Sequence, residues 1–254
     1  METLFIGQNL LFLHEVESTN TYAMNLLRNV NTIEGTVVYT DNQTKGKGQR
    51  GALWSSKIAQ NITTSVILRP QFLSIDMAFY LSKISALAVY DVLAGILSNG
   101  QYGIKIKWPN DILVNQKKIS GILIENNFAS TNIQHSVIGI GLNINQDDFN
   151  EFEREATSLK LLSNIMYNRE ELLEKLCINI EKWYLKLKEG KLELIDKCYH
   201  DHLYEINKIT VFMDANQHKF NGRVKSVTKM GKLLLELEDD VLKEFDIKEV
   251  KFLS

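Results

Sequence analysis

The spacing of apolar and polar residues divides the chain into a mixed helix-and-strand body and an all-strand tail. "LLFLHEV" (10–16) reads as a short strand. "STNTYAMNLLRN" (18–29) opens on cap-forming residues and places Ala23, Leu26 and Leu27 on one helical face. "GTVVYTD" (35–41) is β-branched and bounded by glycine, which predicts a strand, as does "NITTSVILR" (61–69). Residues 74–100 predict a long apolar helix closed by Asn-Gly. "GIKIKW" (103–108) follows, then a hairpin over 111–125 turning near Asn115–Gln116, then a buried strand over 135–145. From residue 168 apolar residues recur at three and four positions with charges between them, so a helix is expected, with a second over 191–204. The tail, 208–254, carries five short strands joined by turn-like dipeptides, the pattern of a small β-barrel.

Composition adds bounds. The 254 residues suit one large domain or a larger one with a small appendage, and 44% hydrophobic content can bury a core without disulfides or metal. A formal charge of −2 excludes a global basic field for nucleic acid, although Lys45, Lys47, Arg50 and Lys57 form a local basic stretch. Cys177 and Cys198 lie in helical patterns without ligand spacing and read as core or near-core thiols. The N-terminus lacks the charge and cleavage pattern of a secretory signal, and no stretch reaches about 18 uninterrupted apolar residues. The expectation is a cytoplasmic protein with no membrane partner.

The candidate chemistry begins at "QTKGKGQRG" (43–51), where Gly46, Gly48 and Gly51 spell G-x-G-x-x-G. A dinucleotide fingerprint needs a helix after that turn, and here polar residues lead into another strand. A Walker A loop is absent, and no kinase catalytic loop follows. Glycines still let backbone N–H groups approach an anion, and Lys47 and Arg50 add charge. "KWPND" (107–111) packs a cation, an indole, a rigid turn and a carboxylate into five residues. Taken singly, Trp108 is equally a core aromatic and Asp111 a turn cap. Lys118, just before "ISGIL", is an edge-strand guard or a charge aimed into a pocket. Gly121 within a strand suggests close approach by a ligand or another backbone.

In this order, "ESTN" (17–20), "QTKGKGQRG", "KWPND", "KKISGILIE" (117–125), "VIGIGLNIN" (137–145) and a barrel tail resemble the biotin–protein ligases over almost the whole chain. The resemblance implies an α+β fold: a mixed β-sheet flanked by helices, class II synthetase-like, over residues 1–204, and an SH3-like β-barrel over 205–254. It implies that biotin and Mg-ATP give biotinyl-5′-AMP and pyrophosphate, and that biotin passes to one lysine of a biotin carboxyl carrier protein. ATP and Mg²⁺ would enter as substrate complex, with no tightly bound prosthetic group. By motif position, Ser18, Thr19 and Asn20 match the cluster that hydrogen-bonds the biotin ureido ring, and Gln43 a further pocket residue. Gly46, Lys47, Gly48, Gln49, Arg50 and Gly51 match a loop that closes over biotin and phosphates. Trp54 matches an aromatic framing the adenylate, and Asn110 and Asp111 match nucleotide-side residues. Asp111 would serve Mg²⁺ or the incoming amine's proton. Lys118 matches the lysine bridging the biotin carboxyl and the α-phosphate, and Gly121 and Asn143 line the two sides of the pocket. Lys47 and Gln49 stand where the family often has arginines, so the grip on the adenylate is expected to be looser unless Arg50 and Lys45 compensate. The ligase pattern starts almost at Met1, so no DNA-binding segment and no DNA partner are expected. A monomer and a homodimer are both compatible. A lipoate–protein ligase and a non-catalytic biotin-binding regulator are the competing functions.

Overall fold

Two sheets organise the chain. The structure, a computed structural model, describes residues 2–29, 32–98, 100–149 and 155–253, except for the side chains of Asn29, Arg50 and Asp239. The first sheet contains β1 (Leu10–Val16), β2 (Val37–Gln43), β3 (Ile62–Leu68), β4 (Ile104–Lys107), β5 (Asp111–Val114), β6 (Lys117–Ala129) and β7 (Asn132–Leu142). Its order is β1-β2-β3-β7-β6-β5-β4. β1 runs parallel to β2 and the other neighbours are antiparallel, so the sheet is mixed.

Side chains alternate across a strand, and the two faces of this sheet differ. On one face, Val66, Leu68, Ile138 and Ile140 are buried in the main core with helix α2 (Phe79–Ile96) and helix α4 (Arg169–Lys188). α2 is apolar on nearly all sides; the window that makes it long and apolar enough to span a bilayer is 61% buried inside the fold. α4 shows the expected spacing, with Leu172, Leu173, Leu176, Cys177, Ile180 and Tyr184 buried. Asn168 caps it by accepting from the N–H groups of Glu170 (2.9 Å) and Glu171 (3.3 Å), and acidic residues at its start oppose lysines at its end. Cys177 is a core thiol whose pKa burial pushes up to about 12. On the other face, α1 (Thr19–Asn29) covers part of the sheet, with Ala23 packed on Val38, Ile67 and Val137.

Three details depart from expectation. The helix predicted over 74–100 starts as a separate 3-10 turn, Ile75–Met77, held to the β6–β7 hairpin by the Ile75 N–H donating to the Thr131 carbonyl. β6 continues to Ala129 through a bulge at Asn127/Phe128. A short helix, α3 (Leu159–Ser163), is capped by Ser158, which accepts from Leu161 N–H.

Helix α5 (Leu192–Asp201) leads to the second sheet. Tyr204 N–H donates to Ile106 of β4, and Asn207 N–H donates to Val224, so the backbone changes sheets at Glu205. The tail strands are β8 (Ile209–Asp214), β9 (Lys219–Val227), β10 (Leu233–Glu236), β11 (Leu242–Phe245) and β12 (Val250–Phe252), in the order β11-β10-β9-β8-β12. Rings from both edge strands reach the centre. Phe252 lies 4.8 Å from Phe212, and Phe245 lies 5.6 Å from Phe220. The sheet therefore curls into a small SH3-like barrel.

Candidate functional site

α1 covers only part of its face of the sheet, and the rest floors a cleft of about 1010 Å³. The register explains why the cleft is open there. Along β7 that face reads Val137, Gly139, Gly141, and along β3 it reads Ile67, Ser65, Thr63, the pairs being Val137↔Ile67, Gly139↔Ser65 and Gly141↔Thr63. Large side chains pack beneath α1; small and polar ones continue past its N-terminus. Gly121 of β6 pairs with Gly141 and with Asp111 of β5, so Thr63, Gly141, Gly121 and Asp111 form one row across four strands. Added methyls at Gly141 would run into the Trp54 ring, and at Gly139 into the Asn20 amide. These glycines make room for side chains arriving from elsewhere.

Lys118 reaches this floor because of a bulge. Strict alternation from Gly121 would put Ile119 on the pocket face and Lys118 on the other. The β5–β6 register shifts between Ile112 and Leu113, so Leu113 pairs with Lys118 rather than Ile119. Ile119 is fully buried and Lys118 turns to the pocket. Its Nζ lies 2.6 Å from Asp111 Oδ1. The contact is an ion pair without hydrogen-bond alignment. The same Nζ stands 5.8 Å from the Trp54 ring, which lies over Gly121 and Gly141 with its Nε1 buried and unpartnered among the described residues.

The glycine loop folds as a tight reverse turn. Trp54 N–H donates to the Gly46 carbonyl and Gly48 N–H to the Ala52 carbonyl, while Gly51 sits at φ +81°, where a side chain is strained. Its last part is a three-residue 3-10 turn, Gln49–Gly51, and no α-helix follows, as expected. Lys47, Gly48 and Gln49 line the cleft. The Arg50 side chain lies outside the described residues.

At the other end, the N-terminus of α1 is wired into the floor. Thr19 N–H donates to Gln43 Oε1 at 2.8 Å, and the Thr19 hydroxyl lies 3.0 Å from the same oxygen. Ser65 Oγ is 2.8 Å from the Thr19 hydroxyl and 2.6 Å from Asn20 Oδ1. Asn20 Nδ2 donates to Glu125 Oε2 at 2.9 Å. Ser18 stands at the cap position, 3.5 Å from Thr21 N–H, too long for a firm cap. At the rim, hydrogen bonds from Lys45 to Glu17 and from Lys117 to Glu155 hold both carboxyls below the usual range.

The fold thus brings Ser18, Thr19, Asn20, Gln43, Lys47, Gly48, Gln49, Trp54, Asn110, Asp111, Lys118 and Gly121 to one cleft. Gly46 and Asn143 stand behind it. Gly46 is buried under Trp54 and Gln43, and Asn143, 3% exposed, donates from Nδ2 to the Thr157 carbonyl. Trp108 is a buried residue whose indole donates to Gly231 of the barrel at 2.8 Å, and the Trp108–Pro109 peptide is cis. Sequence reasoning did not find Thr63, Ser65, Gly139, Gly141 or Glu125. The signal for the first four was period-two alternation, T-x-S and G-x-G on one face. It also missed the barrel's share of the wall, Ile247, Val250, Lys251, Phe252 and Leu253, for which no local signal exists.

Comparison with known proteins gives the family and the fold. The sequence profile of the biotin/lipoate A/B protein ligase family matches residues 12–143, just over half of the chain. A bifunctional ligase/repressor BirA of Bacillus spizizenii is 32% identical over 246 residues, covering 96% of this chain and 74% of that protein. A biotin–[acetyl-CoA-carboxylase] ligase of Paracoccus denitrificans is 33% identical over 180 residues, 69% of this chain and 72% of that one. Among solved structures, a biotin protein ligase from Aquifex aeolicus in complex with biotin and ATP superposes with a TM-score of 0.79 at 26% identity, covering 96% of this chain and 98% of that chain. By profile, sequence and fold alike, the chain belongs to the biotin/lipoate A/B protein ligase family.

Proposed function

We propose that this protein is an ATP-dependent biotin–protein ligase that makes biotinyl-5′-AMP and passes biotin to a lysine of a biotin carboxyl carrier protein. The observation that carries the reading is the Lys118 ammonium, held beside a glycine floor and the Trp54 ring within reach of an open cleft. In the first step a carboxylate oxygen of biotin bonds to the α-phosphorus while the bond to pyrophosphate breaks. Two anions must meet, and a preorganised cation offsets their repulsion most where charge develops. Lys118 is ion-paired to Asp111 before substrates arrive, so entry of the biotin carboxylate and α-phosphate exchanges one anionic partner for others. The polar cluster around Thr19, Asn20 and Gln43 takes the ureido end. Lys47, Gln49, Arg50 and Trp54 cover the adenylate, and Asn110 lies on the nucleotide side.

Asp111, released from Lys118, is the carboxylate shared by the two steps. A divalent ion on ATP uses one or two protein carboxylates beside the phosphates, and Asp111 fits that part for Mg²⁺, which would neutralise phosphate charge. In the second step the carrier lysine's nitrogen bonds to the acyl carbon, AMP leaves, and Asp111 accepts the amine proton. The boundary between a catalytic domain, 1–204, and a barrel domain, 205–254, is supported by the change of sheets at Glu205. The reading places the enzyme in the cytoplasm and includes no DNA duplex among its partners.

The test is incubation with Mg-ATP, labelled biotin and an apo-carrier domain, with pyrophosphate followed in parallel. Carrier labelling together with pyrophosphate release is expected. Labelling by lipoate and not biotin makes it a lipoate ligase; tight biotin binding without pyrophosphate makes it a non-catalytic binder.

A further inference from the structure

The pocket's polar end rests on a carboxylate that sequence reasoning assigned no role. Glu125, on β6, accepts from Asn20 Nδ2 at 2.9 Å, and the Leu123 carbonyl accepts from the same nitrogen at 3.3 Å. A carboxylate and a carbonyl can only accept. They leave the Asn20 amide one orientation, nitrogen toward Glu125 and oxygen toward Ser65; the flipped amide would face oxygen against oxygen. Gly139 lies beneath that amide, so close that an added methyl would run into it.

The consequence propagates. Asn20 Oδ1 carries no proton, so the 2.6 Å contact to Ser65 takes the one hydroxyl proton of Ser65. Ser65 then has none for Thr19, and the 2.8 Å contact between the two hydroxyls is made by the Thr19 proton. Gln43 Oε1 is already held by Thr19 N–H at 2.8 Å. The Thr19 hydroxyl therefore turns its lone pairs, not its proton, to the cleft it lines. Without the charged acceptor at the far end, only the longer 3.3 Å contact to the Leu123 carbonyl opposes a flip that lets the amide donate to Ser65. Every proton in the series would then reverse, and the Thr19 proton, no longer used by Ser65, would be divided between Gln43 Oε1 at 3.0 Å and a donor contact to the cleft.

We propose that Glu125 is a positioning residue that sets the polarity of the Asn20–Ser65–Thr19 relay, so that the pocket presents an acceptor to an N–H donor of the ligand. This deepens the biotin-ligase reading and rests on it. A ureido ring carries such N–H donors, and the relay selects for them. Glu125 itself touches no ligand; it acts through two buried residues.

The test compares wild type and Glu125→Gln, whose amide can face Asn20 with either its oxygen or its nitrogen. Calorimetry measures Kd for biotin, for biotin methylated at a ureido nitrogen, and for ATP, alongside Tm. Loss of one charge-assisted hydrogen-bond arrangement predicts a Kd for biotin raised about tenfold. The preference for biotin over the methylated analogue should narrow, with Kd for ATP and Tm unchanged. Equal losses for biotin and analogue, or a biotin Kd within about twofold of wild type, well under the tenfold that one such bond carries, would overturn the proposal. If Glu125→Gln does not fold, Ser65→Ala breaks the relay from inside the sheet and must show the same narrowed preference. Wild-type protein that takes up no biotin overturns the ligase reading and this proposal together; wild type that binds while the variant matches it overturns this proposal alone.

Discussion

Lys83 and Lys118 are each half of a lysine–aspartate pair set against aromatic rings, and the fold uses them in opposite ways. Lys83, 1% exposed, joins α2 to α5. Its Nζ is 2.7 Å from Asp196 Oδ1, 4.8 Å from the Tyr80 ring centre and 5.8 Å from that of Tyr199. The Tyr80 hydroxyl donates to the other oxygen of Asp196 at 2.8 Å. Burial pushes the Lys83 pKa down and Asp196 pulls it back in part, while Asp196 adds to the burial that raises the Tyr80 pKa. Lys118 has a comparable partner at 2.6 Å but keeps 30% of its side chain exposed, with glycines on one side and a cleft on the other. An ion pair by itself does not mark a site. A paired lysine walled in by rings can only hold its helices together. One beside empty volume can change partners when an anion arrives.

The largest expected effect breaks the Lys118 half of the comparison. Lys118→Met should lower kcat/KM for adenylation by about 10²–10³-fold, the range for losing one preorganised electrostatic group, with Tm retained. Near-normal pyrophosphate release by that variant would remove Lys118 from the mechanism and leave it only the structural partner of Asp111, since β6 is an interior strand between β7 and β5. The mirror experiment is Asp196→Ala. It leaves the Lys83 charge buried and should cost about 3–5 kcal/mol in denaturant unfolding. Activity per folded molecule should stay near wild type, because the pair lies between helices and outside the cleft lining. Loss of activity without loss of stability would mean that the Lys83 pair serves the site and not the packing of its helices.

Smaller changes sharpen it. Gly141→Ala places a methyl where the Trp54 ring lies. Overpacking of about 1–3 kcal/mol should push the indole outward, shift tryptophan emission to the red and weaken ligand binding. An unchanged spectrum would mean that the floor does not need a glycine there. The smallest effect concerns His202, stacked on Tyr90 with ring centroids 3.8 Å apart. Burial, and then Lys105, holds its pKa below the ordinary 6.5. The unfolded chain therefore takes up the proton more readily, so this contribution to stability is complete above the ordinary value and is lost as pH falls through the folded one. His202→Phe keeps the stacking and should lose less Tm than wild type between about pH 7.5 and about pH 5.

What could be read from the chain is what lies in contiguous residues. The glycine loop, "KWPND" and the strand holding Lys118 are each a short run whose residue types state a requirement: backbone approach, a rigid turn, a cation. The tail strands follow from alternation, whose two-residue period shows even in a short segment, and α4 from three-and-four spacing over twenty residues. The short helix α3 was missed because five residues carry too little periodicity to separate helix from loop. Asn143 matched a motif position yet stands behind the pocket floor, since motif order says nothing about which way a side chain faces.

The sequence by itself determined the types of the main elements, the order of the two sheets along the chain, and the set of cations, carboxylates and glycines available to a site. Tertiary structure alone decided how they meet. Ser65 and Glu125 reach Asn20 from strands 45 and 105 residues away. β12 supplies a wall of the cleft from the end of the chain. Lys118 faces the pocket only because the β5–β6 register slips by one residue. Register is set by every strand pairing in the sheet at once, and a one-residue slip exchanges the faces of all that follows. No local pattern around Lys118 carries that information.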